Sequence, residues 1–412
     1  MTTAPRAVGA SWFLLFTLAW LALWTVQLTP LQLLIPLQLD TPDDADGWIS
    51  GVVWSGLVLA VGGIAGVIAG PVAGGLSDRT RGPRGRRRPW ALTGVAVGTV
   101  SLLALSAATG PWAVGAAWIG VSVGTAVAAS AFTALIADQL TAQRGTASAA
   151  VASSQAVGIV VGVGAIVLLG LDTATGYLVL AAFLAVGGIS AALLLPDPPS
   201  PEAAAAARAR RSLAARTAAL RDHDFAWLLA SRLVVNIGNA LGTGLLLFFL
   251  LYGLDRGAAA EDELLLLIVV YTVFVVAASV LAGKLSDRSG RRVGLVVAAA
   301  LVQAGASFLL AALPSLETAF VSAALLGIGY GAYMSVGLAL ATDLLPFPDD
   351  HARDLGFANV SASLGQLLGP LIGAGLVALV GDFWLLFAAG GVLSLLGGLA
   401  TLAIRGRVPS VH

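Results

Sequence analysis

One polar loop gives the clearest indication of architecture: residues 74–90 read GGLSDRTRGPRGRRRPW. Its core returns in the second half of the chain, where residues 282–292 read AGKLSDRSGRR. The Leu-Ser-Asp-Arg tetrad is identical in both copies, and each copy lies between two long, apolar, glycine-rich stretches. A repeated loop between matched apolar stretches indicates a chain built from two related halves.

The composition places these halves in a membrane. Of the 412 residues, 58% are hydrophobic and only 11% are charged, whereas soluble domains carry about 25% charged residues. The apolar runs reach roughly 20 residues, which is the length that crosses the hydrocarbon core of a bilayer. We predict an all-α membrane protein with twelve transmembrane helices in two pseudo-symmetric six-helix halves. The chain contains no cysteine, which excludes disulfides and thiolate metal sites.

A proline-rich segment separates the two predicted halves. Residues 196–224 begin with PDPPSP, which ends the sixth helix, and continue with alanine and arginine. We predict an N-terminal six-helix half over residues 1–195, a cytoplasmic linker over 196–224 and a C-terminal six-helix half over 225–412. A linker that is solvated or lies on the lipid surface is favoured over a regulatory element.

The basic residues predict the orientation. If both termini are cytoplasmic, nearly all arginines and lysines fall on the cytoplasmic side, and the outer loops are acidic. Only Arg256 falls outside, and Arg232 falls within the seventh helix. The N-terminus lacks a signal-peptide pattern. We therefore expect a multi-pass protein of the plasma (cytoplasmic) membrane with cytoplasmic N- and C-termini.

A second pair of loops repeats after the fourth and tenth helices, over residues 134–149 and 340–358. A carboxylate at a helix end can pair with arginine or accept hydrogen bonds from the start of a neighbouring helix. Simple anchoring by positive charge would explain the arginines but not the repeated tetrad. We predict that the two loop pairs form gating contacts through Asp78, Arg79, Asp287, Arg288, Asp138, Arg144, Asp343 and Arg353.

These motifs resemble those of the major facilitator superfamily: G-x-L-x-D-R-x-x-G-R-R in both halves, and D-x-x-x-x-x-R-G after the fourth helix. The longer form SDRTRGPRGRRRPW is similar to the sucrose-transporter and glycoside–pentoside–hexuronide branches. The resemblance implies a secondary transporter that works by alternating access and is a monomer in membrane lipid. It implies a small-molecule substrate, with or without a coupled proton or cation, and a cavity lined by helices 1, 4, 7 and 10.

Glycine–proline strings in the second and eleventh helices, residues 66–75 and 365–375, are similar to the antiporter signature of that superfamily. That signature belongs in the fifth helix, where this chain has no proline. We interpret both strings as devices for close packing and kinking.

Polar and aromatic residues share one face on each lining helix, at spacings of three and four. Amides in hydrocarbon are costly unless they are hydrogen-bonded, so they face a cavity or a neighbouring helix. Either role is open for any single residue, and Arg232 could also reach towards the membrane interface. The predicted substrate-binding residues are Trp20, Trp24, Gln27, Trp118, Ser122, Thr125, Arg232, Asn236, Asn239, Thr243, Tyr330, Tyr333, Asn359 and Gln366.

The predicted spans hold no buried carboxylate that could carry a coupled proton, which favours a facilitator or a weakly coupled carrier. Asp40, Asp138 and Asp343 at span ends are the nearest candidates for coupling. Aromatic rings with amides favour a sugar-like solute. The alternatives are an exporter of amphiphilic natural products or drugs and a non-transporting receptor. We predict no enzyme, no cofactor, no metal site and no nucleic-acid partner, because no catalytic or metal-ligand constellation is present.

Overall fold

The computed structural model describes residues 8–41, 47–80, 85–140, 143–197, 222–344 and 351–404, without the side chains of Ala137, Arg144, Thr342 and residues 351–362. Throughout these residues the chain is helical and has no strand. Twelve of the described helices are long and apolar enough to cross a membrane. The predicted all-α architecture with twelve spans is confirmed.

The first six helices belong to the N-terminal part of the chain. They are α1 (Ala10–Gln38), α2 (Trp48–Arg79), α3 (Arg88–Ala107), α4 (Gly110–Gln139), α5 (Arg144–Leu168) and α6 (Thr173–Leu194). The other six are α7 (His223–Gly244), α8 (Ala260–Ser289), α9 (Arg292–Ala312), α10 (Leu316–Asp343), α11 (His351–Val380) and α12 (Trp384–Ala400).

The chain divides into two compact units. The first unit comprises residues 1–40 and 57–210, and the second comprises residues 41–56 and 211–412. The boundary therefore falls inside α2, so that the first residues of this helix pack with the second unit.

A π-helical turn occurs near the end of the first long helix of each unit. In α1 the turn Pro30–Leu34 follows a regular helix, because Pro30 lacks an N–H and its ring displaces the preceding carbonyl. After α7 a second π-helical turn covers Phe249–Gly253 and ends with the Leu254 N–H on the Phe249 carbonyl at 2.9 Å.

Glycines let the helices of each unit approach closely. A methyl group on Gly124 of α4 would lie 2.4 Å from the Gly98 nitrogen of α3, so the two backbones are in contact. In α11 the Cβ of an alanine at Gly369 would lie 2.3 Å from the Ala240 Cβ of α7, and Pro370 lies within the helix. These contacts support the packing interpretation of residues 365–375. In the α2 string, a Cβ on Gly66 would lie 3.3 Å from the Ser122 carbonyl oxygen of α4, whereas Gly70 has no neighbouring atom within 4 Å of the same position.

Candidate functional site

Arg87 organises the first repeated loop. It lies just before α3 and is 4% exposed. Its Nη2 donates to Asp78 Oδ1 at 2.5 Å, its Nη1 to Ser77 Oγ at 2.5 Å, and its Nε to Asp138 Oδ2 at 3.0 Å. Arg86 Nη2 donates to the other oxygen of Asp138 at 2.6 Å. We call these five residues the N-terminal latch, since they join the ends of α2 and α4 to the start of α3.

The Asp197 carboxylate, which follows α6 in the chain, accepts hydrogen bonds from the backbone at the start of α3. Its Oδ2 accepts the backbone N–H of Arg87 at 2.7 Å and that of Arg88 at 2.8 Å. A carboxylate at this position satisfies open N–H groups and complements the positive end of the helix dipole. Arg88 in turn donates its Nε to the Ala192 carbonyl at 3.0 Å, which fastens the end of α6.

The second repeated loop forms a matching but smaller set of contacts. Arg292 ends a Gly-Arg-Arg triplet just as Arg87 does. Its Nη1 forms an ion pair with Asp343 and donates to the Ala339 carbonyl at 2.7 Å. We call Arg292, Asp343 and Ala339 the C-terminal latch. Ser286, which corresponds to Ser77, is equally buried, but its hydroxyl has no partner among the described residues.

Beside each latch, two helices of the unit pack closely through a glycine. A Cβ on Gly74 of α2 would lie 3.0 Å from Ser130 Oγ of α4, and a Cβ on Gly283 of α8 would lie 2.9 Å from Ser335 Oγ of α10. Glycine at both positions therefore allows α2 to meet α4, and α8 to meet α10, directly beside each latch.

Only some of the predicted gating residues take part in the latches. Asp78, Asp138 and Asp343 take part in the latch contacts, whereas Arg79, Asp287 and Arg288 are exposed. The side chains of Arg144 and Arg353 lie outside the described residues. The sequence prediction did not include Arg87, Arg292 or Asp197. The Gly-Arg-Arg triplet in both loops was the available signal for the two arginines.

Polar side chains of α1 and α4 meet inside the first unit. The Thr125 hydroxyl lies 2.9 Å from Gln27 Oε1 and connects the two helices. On the same helices the indole N–H groups of Trp20, Trp24 and Trp118 are buried and have no hydrogen-bond partner in the described part of the chain. The Ser122 hydroxyl is also buried without a partner there. We call this set, with Gln27 and Thr125, the N-unit polar cluster.

A second cluster connects α7, α8, α10 and α11 inside the second unit. The Tyr330 hydroxyl donates to Asn236 Oδ1 at 3.1 Å, and Gln366 Nε2 donates to the same hydroxyl at 3.4 Å. The Tyr271 hydroxyl donates to Asn239 Oδ1 at 3.2 Å, and the rings of Tyr271 and Tyr330 are stacked with centroids 6.3 Å apart. We call these five residues the C-unit polar cluster.

The other predicted residues of the second unit lie around this cluster. Tyr333 is buried, and its hydroxyl lies 3.1 Å from Ser231 Oγ. Thr243 donates to the Asn239 carbonyl of its own helix at 3.2 Å. The helix that carries Asn359 is described, but the Asn359 side chain is outside the described set.

Arg232 points into the second unit. It is 2% exposed, and a Cβ on Gly337 of α10 would lie 3.6 Å from its Nη1. The Asn236 side-chain amide donates to the Arg232 carbonyl at 2.7 Å. This burial against α10 favours a role inside the unit over extension towards the membrane interface.

Two charged groups outside the spans have shifted pKa values. The hydrogen bond from Arg256 to Glu263, with Nε at 2.9 Å from both carboxylate oxygens, raises the pKa of Arg256 above its ordinary value. Asp172 caps α6 by accepting the Thr175 N–H, and hydrogen bonds from Thr175 lower the pKa of its carboxyl group. Within the described residues, no group of three His, Asp or Glu side chains could hold a metal ion.

Comparison with known proteins identifies the family. The model of the Major Facilitator Superfamily matches residues 13–262 and 239–412, and the chain belongs to this superfamily. It is therefore an integral, multi-pass membrane protein of a family that transports small solutes.

Two curated relatives are similar over part of the chain. A "Myo-inositol transporter 3C" of Cryptococcus neoformans var. grubii is 29% identical over 35% of this chain and 25% of the relative. A "Triacylglyceride transporter" of Mycobacteroides abscessus is 36% identical over 28% of this chain and 22% of the relative. The matching segment thus spans about a quarter of the length of each relative.

Two solved structures share the fold over nearly the whole chain. The nucleoside transporter NupG, in a mutant form, superposes with a TM-score of 0.76 at 14% identity, over 96% of this chain and 99% of its own. A POT family transporter in complex with a thioalcohol-conjugated peptide superposes with a TM-score of 0.72 at 12% identity, over 95% of both chains. At these identities the likeness concerns the fold.

Proposed function

We propose that this chain is a secondary transporter that moves a neutral, sugar-like solute across the plasma membrane by alternating access. The observation that carries the proposal is the pair of polar clusters, which place amides, phenols and indoles inside otherwise apolar units. Buried polar groups without partners are costly, so they are kept where a ligand completes their hydrogen bonds. Sugars offer hydroxyls for the amides and apolar ring faces for the aromatic side chains.

The N-unit polar cluster favours a ligand rich in hydrogen-bond acceptors. An indole N–H can only donate, and three such groups are buried there without partners among the described residues. Hydroxyl oxygens of a polyol can accept from them. A relative named for myo-inositol and a structural neighbour named for nucleosides agree with a hydroxyl-bearing substrate.

The latches support alternating access. The N-terminal latch joins the ends of three helices and the C-terminal latch joins two, each within one unit through an arginine and one or more carboxylates, so that each unit can move as a rigid body. The basic residues of both loops favour the cytoplasmic side, where the N- and C-termini also belong in this proposal.

Ion coupling is not needed for this mechanism. Among the candidates for a coupled proton, the Asp138 carboxylate already accepts from Arg86 and Arg87, and Asp343 pairs with Arg292. Both carboxylates are committed to the latches. We therefore propose a monomeric facilitator, or a carrier only weakly coupled to a proton or cation, without enzymatic activity.

The second candidate function is export of amphiphilic natural products or lipids. The relative named for triacylglycerides favours it, and ester carbonyls would also accept hydrogen bonds from indoles. The direction of transport distinguishes this export function from solute uptake.

Uptake into proteoliposomes tests both functions. Purified full-length protein is reconstituted, and counterflow of radiolabelled myo-inositol, sucrose and uridine is measured with and without a pH gradient. We expect counterflow of at least one of the three probes, with little dependence on the pH gradient. Absence of counterflow for all three, together with transfer of fluorescent triacylglycerol between vesicles, would replace the sugar proposal by the lipid one. Binding of a probe without any counterflow would support the receptor alternative.

A further inference from the structure

Gly62 of α2 lies directly against the N-unit polar cluster. A Cβ at this position would lie 2.2 Å from Trp118 Cδ1, 2.4 Å from Trp118 Nε1 and 2.9 Å from Ser122 Oγ. The Trp118 indole therefore rests on the bare backbone of Gly62, and any larger residue would displace it. Gly70 lies two turns further along α2 and could carry a side chain, because no atom lies within 4 Å of its Cβ position.

The same three distances bring two unpaired donors together. Because Trp118 Nε1 and Ser122 Oγ lie 2.4 Å and 2.9 Å from the same point, the two atoms are at most about 5.3 Å apart, and a single oxygen within hydrogen-bond distance of both can accept from both. Trp118 is 1% exposed and Ser122 is 2% exposed, and neither polar atom has a hydrogen-bond partner among the described residues. Two buried polar groups without partners destabilise the folded protein, so such an arrangement is retained where a ligand completes the hydrogen bonds.

We infer that Gly62 is a positioning residue of the substrate site, which holds the Trp118 indole so that its N–H and the Ser122 hydroxyl together bind one oxygen of the substrate. The inference rests on the proposed function and specifies it. The group recognised here is a hydroxyl or carbonyl oxygen that accepts hydrogen bonds. The indole N–H can only donate, so the atom that bonds to it must be an acceptor.

The position of Trp118 can be tested without any substrate. The full-length protein is labelled with fluorotryptophan, and its ten tryptophans are observed by fluorine NMR, with the Trp118 signal assigned by its loss in Trp118→Phe. We expect Gly62→Ala to shift the Trp118 signal and the control Gly70→Ala to leave it in place. An unshifted Trp118 signal in folded Gly62→Ala protein would overturn the positioning role.

A double-mutant cycle tests the link to substrate binding, with myo-inositol as the probe. Gly62→Ala, Trp118→Phe and Ser122→Ala are each expected to weaken binding about tenfold, the loss of one hydrogen bond to a buried partner. Because Gly62 acts through Trp118, the Gly62→Ala/Trp118→Phe variant should bind no more weakly than Trp118→Phe alone. The maximal transport rate should change less than the KM.

The outcomes separate this inference from the proposed function. If Trp118→Phe weakens binding and Gly62→Ala does not, the positioning role is wrong and the site stands. If the effects of Gly62→Ala and Trp118→Phe add fully, Gly62 acts by another route and the inference is overturned. If the wild-type protein does not bind myo-inositol, the sugar assignment fails, and the fluorine signals still decide whether Gly62 positions Trp118.

Discussion

The guanidinium of Arg87 lies 2.5 Å from the carboxylate of Asp78, and this contact bridges the turn between α2 and α3. The same guanidinium also reaches Asp138 at the end of α4. A planar group with a fork of N–H donors can hold two carboxylates at once, which an ammonium group cannot do with the same geometry. Arg87 is thus the centre of the N-terminal latch.

Replacing Asp78 by Asn should slow transport more than it weakens substrate binding, because in the proposed mechanism the latch acts on movement, and its residues are separate from the polar clusters. The matched control is Asp287→Asn in the second repeated loop, where the side chain is exposed, and its effect should be smaller. Counterflow rates and binding affinities measured on the same preparations check this. Equal losses of rate and affinity at normal expression would contradict the latch role.

Replacing Arg87 by Ala should lower the stability of the protein, because the arginine contacts Asp78, Ser77 and Asp138. The Arg87 side chain is only 5% exposed, but the Asp78 side chain is 52% exposed, so the loss lies below the roughly 3–5 kcal/mol that removal of one partner of a fully buried ion pair costs. Arg87→Lys should recover part of the loss, since it keeps the charge but not the fork. Melting temperatures in detergent measure the effect, and the exposed Arg79→Ala serves as the control. A variant as stable as the wild type would show that the contacts do not hold the three helices.

Replacing Tyr330 by Phe should weaken substrate affinity about tenfold. The change removes the hydroxyl that connects Asn236 and Gln366, so both amides lose their orientation. Asn239→Ala should have a comparable effect, because it removes the partner of Tyr271. The control on the same helix is Ser322→Ala, whose hydroxyl bonds to the Ala306 carbonyl of α9. Unchanged affinity in the first two variants would remove the C-unit polar cluster from the substrate site.

Replacing Trp48 by Ala should destabilise the second unit. The Trp48 ring is stacked on Tyr252 at 5.0 Å and on Phe383 at 5.3 Å between centroids, and removal of a packed aromatic side chain costs about 3–5 kcal/mol. Trp112→Ala is the control, since that ring is 80% exposed. Thermal unfolding of the two variants should differ by several degrees. Equal melting temperatures would mean that the stacking contributes little.

Much of the architecture follows from local patterns in the chain. Long apolar runs predict spans because backbone groups in lipid must bond within their own helix, and the tetrad at residues 76–79 and 285–288 marks the repeat directly. The latch partners were only partly predictable. Asp138 and Asp343 stood out by their repeated position, whereas the choice of Arg87 over Arg79 depends on which side of the turn faces α4.

The substrate-site candidates show the same division between local and tertiary information. Spacings of three and four predict that Asn236 and Asn239 share a face of α7, but the partner of each is a tyrosine on a different helix. No pattern within α8 indicates that Tyr271 meets Asn239. Gly62 is one of fifty glycines, and only the position of Trp118 distinguishes it from Gly70.

By itself the sequence determined the membrane class, the number of spans, the internal repeat and the family resemblance, because these depend on composition and on spacing along one helix or loop. Only the tertiary structure decided which arginine pairs with which carboxylate, which amide meets which phenol and where a glycine is required. Those choices depend on how helices far apart in the chain approach one another, and such distances are set by packing between helices and have no fixed spacing along the chain.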